Sequence, residues 1–220
     1  MPNPPLSERR FRVAPIALLG AIVLGFVIYP PFHVHRLERA ATVSGSPRGA
    51  VDLEQVAATF WDEQLLSPAA QPVDARVLLD ALSNDAVAAA RYGRRTGIGG
   101  KTTFFLKGEG RVETIERSGI GLQVETTMPI ATRVVMVTGP IFGNGLRDAT
   151  GMLSSKEFTS LDFNQLGAEL NKLAEARAQP ALRAGSRKGA TLSFVAAGEL
   201  DDSSQGTPVL KLVPITVAWK

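Results

Sequence analysis

A chain of 220 residues with 45% hydrophobic content has room for one ordinary folded domain plus appendages. It contains no cysteine, which excludes a disulfide scaffold, thiolate metal sites and, within these residues, the acceptor for a lipoprotein's lipid. The net charge of +3 comes from residues 1–50, where six Arg face two Glu; residues 51–104 sum to −2 and residues 105–220 to +1. A nucleic-acid binder concentrates Lys and Arg on its folded face, so no nucleic-acid partner is expected.

Residues 1–12 carry Arg9, Arg10 and Arg12 and read as a cytoplasmic N-terminus. Val13–Tyr29 is uncharged for seventeen residues, a helix of roughly 25 Å and long enough to span a bilayer. Pro30 and Pro31 stop it, and Tyr29 and Phe32 suit the headgroup boundary. A cleaved signal peptide and a buried core helix are the rivals. No A-x-A site follows the segment, and a core helix this apolar on every face is uncommon in a small protein. The expectation is one transmembrane anchor in the bacterial inner membrane, with the globular part in the periplasm. Residues 30–50 then form a juxtamembrane linker, where His33 and His35 lack the further ligands a metal site needs.

Residues 51–104 read as a helical layer. Asp52 and Gln55 make a capping-box-like start, with Leu53, Val56, Phe60 and Trp61 on one face. Trp61 reads as a core anchor. Asp74 caps a second helix that turns Val77, Leu78, Ala81 and Leu82 inward, and Gly93 is placed as a stop. Residues 105–220 read as a β domain. Arg111–Glu116, Leu122–Thr126 and Arg133–Thr138 are the first strands, Leu161–Ala176 a helix, and Thr191–Leu200 a fourth strand. In the last strand Leu210 and Leu212 share a face, then Ile215, Val217 and Trp219 follow a parity change at Pro214, which predicts a bulge. Three strands, a helix that would plug the barrel, and two strands form the order of a five-stranded OB-like barrel. The fold class is thus α+β, with another small α+β sheet as the alternative.

The series Phe60-Trp61-Asp62, Tyr92-Gly93-Arg94, Leu106-Lys107-Gly108-Glu109-Gly110, Gly139-Pro140-Ile141, Leu146-Arg147-Asp148-Ala149, Phe158–Gln165 and Thr207-Pro208-Val209 resembles an uncharacterised bacterial family. Its members are predicted periplasmic lipoproteins, often encoded beside ribose-type sugar ABC transporters. The resemblance covers about residues 51–220. It implies periplasmic placement and a link to sugar uptake, and supplies no activity, cofactor or catalytic residue. This chain departs from the family at the lipid-acceptor cysteine, and an uncleaved helix would keep the same topology.

Histidine stands only at positions 33 and 35, so a Ser-His-Asp arrangement is unavailable to the globular part. There is no D-x-D-x-D-G calcium loop, and Gly139–Gly145 lacks the Lys-Ser/Thr that follows a phosphate loop. Asp201 and Asp202 read as turn residues. Arg147 and Asp148 are the candidate polar site, with Tyr92, Arg94 and Asn164 as further ligand-binding candidates. The competing readings are a structural ion pair for Arg147-Asp148, a cap and a surface charge for Tyr92 and Arg94, and a helix cap near Asp162 for Asn164. No catalytic residue, metal or cofactor is expected. The functional expectation is a non-enzymatic, membrane-anchored periplasmic accessory protein that binds an ABC transporter component or a sugar. The alternatives are a structural or envelope protein-interaction domain without a small ligand, and a carboxylate-dependent hydrolase around Arg147-Asp148.

Overall fold

The computed structural model describes residues 52–67, 69–84, 89–95, 101–201 and 207–220. Val13–Tyr29 therefore lies outside the described residues; among those described, no helix is long and apolar enough to cross a membrane. Residues Ala50–Lys220 form one compact unit.

Seven strands make the sheet: β1 (Val73–Asp74), β2 (Arg94–Arg95), β3 (Thr102–Ile115), β4 (Gly119–Gln123), β5 (Arg133–Val137), β6 (Thr191–Asp201) and β7 (Val209–Trp219). The long strands pair in the order β3-β4-β5-β7-β6, and β6 returns to β3, closing a five-stranded barrel. All these ladders are antiparallel except β5 with β7. A single parallel pair between the third and fifth barrel strands is the OB arrangement. Closure removes most of the open edge that a five-stranded sheet would otherwise present.

Side-chain alternation produces two cores. Phe104, Leu106 and Val112 of β3 point into the barrel with Leu192, Phe194, Ala196, Leu210 and Leu212. Phe105, Ala197 and Ile215 point outward into a second core beneath the helices. That is why β6 and β7 read as nearly continuous apolar runs: both of their faces are covered.

The helices are α1 (Leu53–Phe60, prolonged by a π-turn Trp61–Leu65), α2 (Ala75–Asn84), α3 (Gly145–Asp148), α4 (Ser160–Leu173) and α5 (Gln179–Gly185). Asp52 caps α1 by accepting from the Gln55 N–H at 3.2 Å, and Asp74 accepts from the Arg76 N–H at 2.8 Å at the start of α2. Trp61, 2% exposed, anchors the outer core.

Several expectations shift. The second strand starts at Gly119 and ends at Gln123, not at Leu122–Thr126. Its two glycines look like loop residues in the sequence, but Val135 and Thr114 fill the space their side chains would take. Helix α2 buries Ala75, Leu78 and Leu79 and leaves Val77 43% exposed, a face rotated by one residue. The helix between the third and fourth barrel strands does not plug the barrel. Leu166, Leu170 and Ala174 pack it against the outer wall, while α2 and Leu182 of α5 join the barrel core. It also runs on past Ala176 through a π-turn, Ala174–Ala178, into α5, whose Pro180 stands in the first turn. The β7 bulge is present, with Ile215 as the extra residue opposite the Val195/Ala196 step. Ile215 therefore faces the outer core, whereas Val217 and Trp219 face inward.

Candidate functional site

Arg147 and Asp148 sit at the end of α3 and are both nearly buried, with side chains 7% and 9% exposed. Arg147 donates from Nε to Asp148 Oδ1 at 2.7 Å and from Nη2 to Oδ2 at 3.2 Å, a bidentate pair. Its Nη1 donates to the Phe163 carbonyl at 2.8 Å and to Asn164 Oδ1 at 3.2 Å. The guanidinium also stacks over the Phe163 ring, 3.8 Å from its centroid. Most of the Arg147 donors are thus occupied inside the fold, and the group fastens α3 to the first turn of α4. Asn164 serves here as an acceptor for Arg147. The cap of α4 is Thr159, which accepts from the Asp162 N–H at 3.1 Å.

The same clasp continues along the helix. Asn171, Glu175, Gln179 and Arg183 lie four residues apart, so they share one face. In turn they bind Gly143 O (2.9 Å), the Ile141 N–H (2.7 Å), Gly139 O (2.7 Å) and Thr138 O (2.7 Å). The loop after β5 runs alongside the helix with its backbone groups satisfied by this stripe, as a part-buried loop requires. Gly167 stands where the stripe would next fall, and a side chain there would meet Asn144 Oδ1 at 2.5 Å. A larger residue at 167 would make the Asn144 side chain turn away.

The five candidate residues do not converge. Arg147, Asp148 and Asn164 are brought together. Arg94 lies nearby, its guanidinium against Gly151, which adopts a φ of +63°; Gly151 donates its N–H to the Asp148 carbonyl. Tyr92 packs against the barrel core, and its hydroxyl accepts from Arg91 Nη2 at 2.8 Å. Gly93 ends the short turn before β2 in an extended conformation; its lack of a side chain admits Thr102 and Phe104.

A different set of residues forms an open cleft. Asp74, Arg76, Gly108, Glu109, Gly110, Arg111, Gln123 and Glu125 line a groove of about 600 Å³ between the first turn of α2, β3 and the end of β4. Arg111 donates to Gln123 Oε1 at 2.8 Å across β3 and β4, and Arg76 donates from Nε to the Glu125 carbonyl at 3.2 Å. Glu109 accepts from Lys220. These groups can orient polar ligand atoms through donors and acceptors alike. Sequence reasoning missed them because single charges spaced along a strand read as an ordinary solvated face. The available signal was the pair Gly108 and Gly110, which thins the wall inside a strand otherwise rich in large residues. Among the described residues no group of three or more His, Cys, Asp or Glu could hold a metal ion.

The strand order and the helix-covered wall define an OB-fold barrel. An OB-fold protein from Thermotoga maritima is similar, with a TM-score of 0.64 and 21% identity over 77% of this chain and 98% of that one. At that identity the likeness concerns the fold. The family model described as "Predicted periplasmic lipoprotein (DUF2291)" matches residues 22–218, and the chain belongs to that family, whose function is unknown. No curated protein matches the chain. Within these 220 residues no cysteine can carry the lipid that the family description implies.

Proposed function

We propose that this chain is a non-enzymatic accessory protein of the bacterial envelope, held at the inner membrane by Val13–Tyr29, whose open barrel groove binds a component of a sugar-uptake system. The observation that carries this reading is the polar groove on β3 and β4. It is an open, charge-lined surface of the barrel among the described residues, while the outer faces of β6 and β7 pack beneath helices. Its cations already have partners within the groove, an arrangement suited to orienting a ligand rather than to activating a nucleophile. Periplasmic placement draws support from the family, and the link to sugar uptake from the resemblance of the quoted motifs. A membrane tether would keep such a module at high local concentration beside a membrane complex.

A second reading, direct binding of a sugar, draws on the carboxylates, guanidiniums and amide lining the same groove. One experiment addresses both. Full-length protein is extracted in mild detergent from cells expressing it at native level, and co-purifying proteins are identified. A thermal-shift panel of pentoses and hexoses is run on the same preparation. Recovery of a sugar-transporter subunit, lost with Arg111→Ala, supports the first reading. A sugar that raises the melting temperature supports the second. Recovery of no transporter subunit together with a flat panel contradicts both.

A further inference from the structure

The groove lies where one ladder stops and another has not begun. On one edge β3 pairs continuously with β6 from Thr103 to Arg111. On the other edge Lys107 pairs with Asp74 of β1, and pairing resumes only at Arg111 with Gln123 of β4. Lys107 to Arg111 spans about 13 Å at roughly 3.3 Å per residue.

Backbone direction within this gap follows from one pair of bonds. The Val112 N–H donates to the Ala190 carbonyl, and the Val112 carbonyl accepts from Gly189, so Val112 turns both groups toward the β6 side. Strand alternation then turns Gly108 and Gly110 the same way and Glu109 the opposite way. The N–H and C=O of Glu109 therefore face the groove between β1 and β4, with no strand opposite them among the described residues. One unpaired donor and one unpaired acceptor, side by side on a sheet edge, match the backbone of one residue in an extended chain.

We infer that this edge is a docking slot for an extended peptide segment of neutral to basic character, whose backbone pairs with Glu109 as a short added strand. The inference rests on the partner-binding reading above and assigns the form in which the partner is held. Charge selects the segment. Asp74 caps α2 and Lys220 sits on Glu109, which leaves the Glu125 carboxylate as the acidic group most open to a ligand. The Glu125 carboxylate is 95% exposed and only 4.0 Å from Arg76, leaving it open to a lysine or arginine on the incoming segment. An acidic peptide would bring like charge to the exposed Glu125 carboxylate. The gap has room for three to four residues, about the length over which backbone pairing and one charge contact act together.

The test uses full-length protein labelled with nitrogen-15 in detergent micelles, and the tripeptide acetyl-Val-Lys-Val-amide as probe. Addition of the peptide is expected to move the Glu109 and Gln123 amide resonances. The same peptide methylated on the lysine backbone nitrogen is expected to leave them in place. Glu109→Pro removes the groove-facing N–H and sets the proline ring in its place, while the bonds of the β6 ladder come from Gly108 and Gly110; it should weaken the peptide by at least about tenfold. Glu109→Gln, which keeps the backbone, should retain binding. An unmoved Glu109 amide, or equal binding by the methylated peptide, overturns the slot. So does an acidic tripeptide that binds as well, or a Glu109 amide already protected in the unliganded chain by a segment of its own. Peptide binding without any transporter subunit in the native purification would sink the sugar-uptake role and leave the slot standing. A recovered subunit with an unmoved Glu109 amide would do the reverse.

Discussion

The two walls of the barrel are built from different chemistry. The wall formed by β6 and β7 is sealed by α1, α4 and α5, and its polar residues are committed to the fold: Arg147 to Asp148 and α4, and the Asn171–Arg183 stripe to the loop after β5. The groove on β3 and β4 is also lined by charges, yet they lie at the surface, where their pairs are open to water. Buried polar groups are costly unless paired, so on the covered wall Arg147, Asp148, Asn171 and Gln179 need their partners. On the open wall water can replace any partner, and the same residue types are available to a ligand. Charge density therefore does not mark the functional face here. Commitment of the charges does.

Substitutions should separate the walls by size of effect. Arg147→Ala leaves Asp148 buried against α4 without its bidentate partner and should destabilise the full-length protein by about 3–5 kcal/mol in urea unfolding. A loss below about 1 kcal/mol would place the pair outside the obligatory clasp. Gly167→Ala makes the Asn144 side chain turn away, a cost offset by the helix preference for alanine, and should change stability by no more than about 1 kcal/mol by the same measurement. Arg111→Ala on the open wall should change stability by no more than about 0.5 kcal/mol while abolishing partner capture. A large stability loss there would show that the open wall is structural too.

The smallest effect concerns pH. The hydrogen bond from Lys101 Nζ to Glu199, 2.6 Å long, holds the Lys101 ammonium above its ordinary value of 10.5, against a smaller opposing effect of burial. A folded-state value above the unfolded one means the contribution is complete below about pH 10.5 and fades as pH rises through the folded value. Lys101→Met should therefore flatten the alkaline limb of a stability–pH curve and leave its neutral region nearly unchanged. Both partners are partly exposed, so the difference should be slight.

The barrel itself was largely legible. A short β-branched run marks β5, the sets Leu192, Phe194, Ala196 and Leu210, Leu212 mark one face of β6 and of β7 within their apolar runs, and the parity change at Pro214 marks the bulge. Strand β4 slipped because Gly119 and Gly121 carry no side chains to show a period. The extension of α4 into α5 was hidden by Pro180, which sequence reading takes as a stop but which a new first turn tolerates. Arg147 and Asp148 stand out in the sequence as a polar pair, open there to a ligand-binding or a structural reading. Whether such a pair faces a ligand or a neighbouring helix depends on what lies across from it, and local sequence does not encode that. The groove was invisible for a related reason: an open strand edge is a property of pairing, and Glu109 looks like any exposed glutamate until its neighbours on both sides are known.

Residue-resolved amide hydrogen exchange on the full-length protein in detergent tests the division between walls most directly. In the unliganded protein the Gly108 and Gly110 amides, paired with β6, should be strongly protected, and the Glu109 amide between them should exchange rapidly. Uniform protection of all three would contradict it, because the edge assigned to a partner would already be closed.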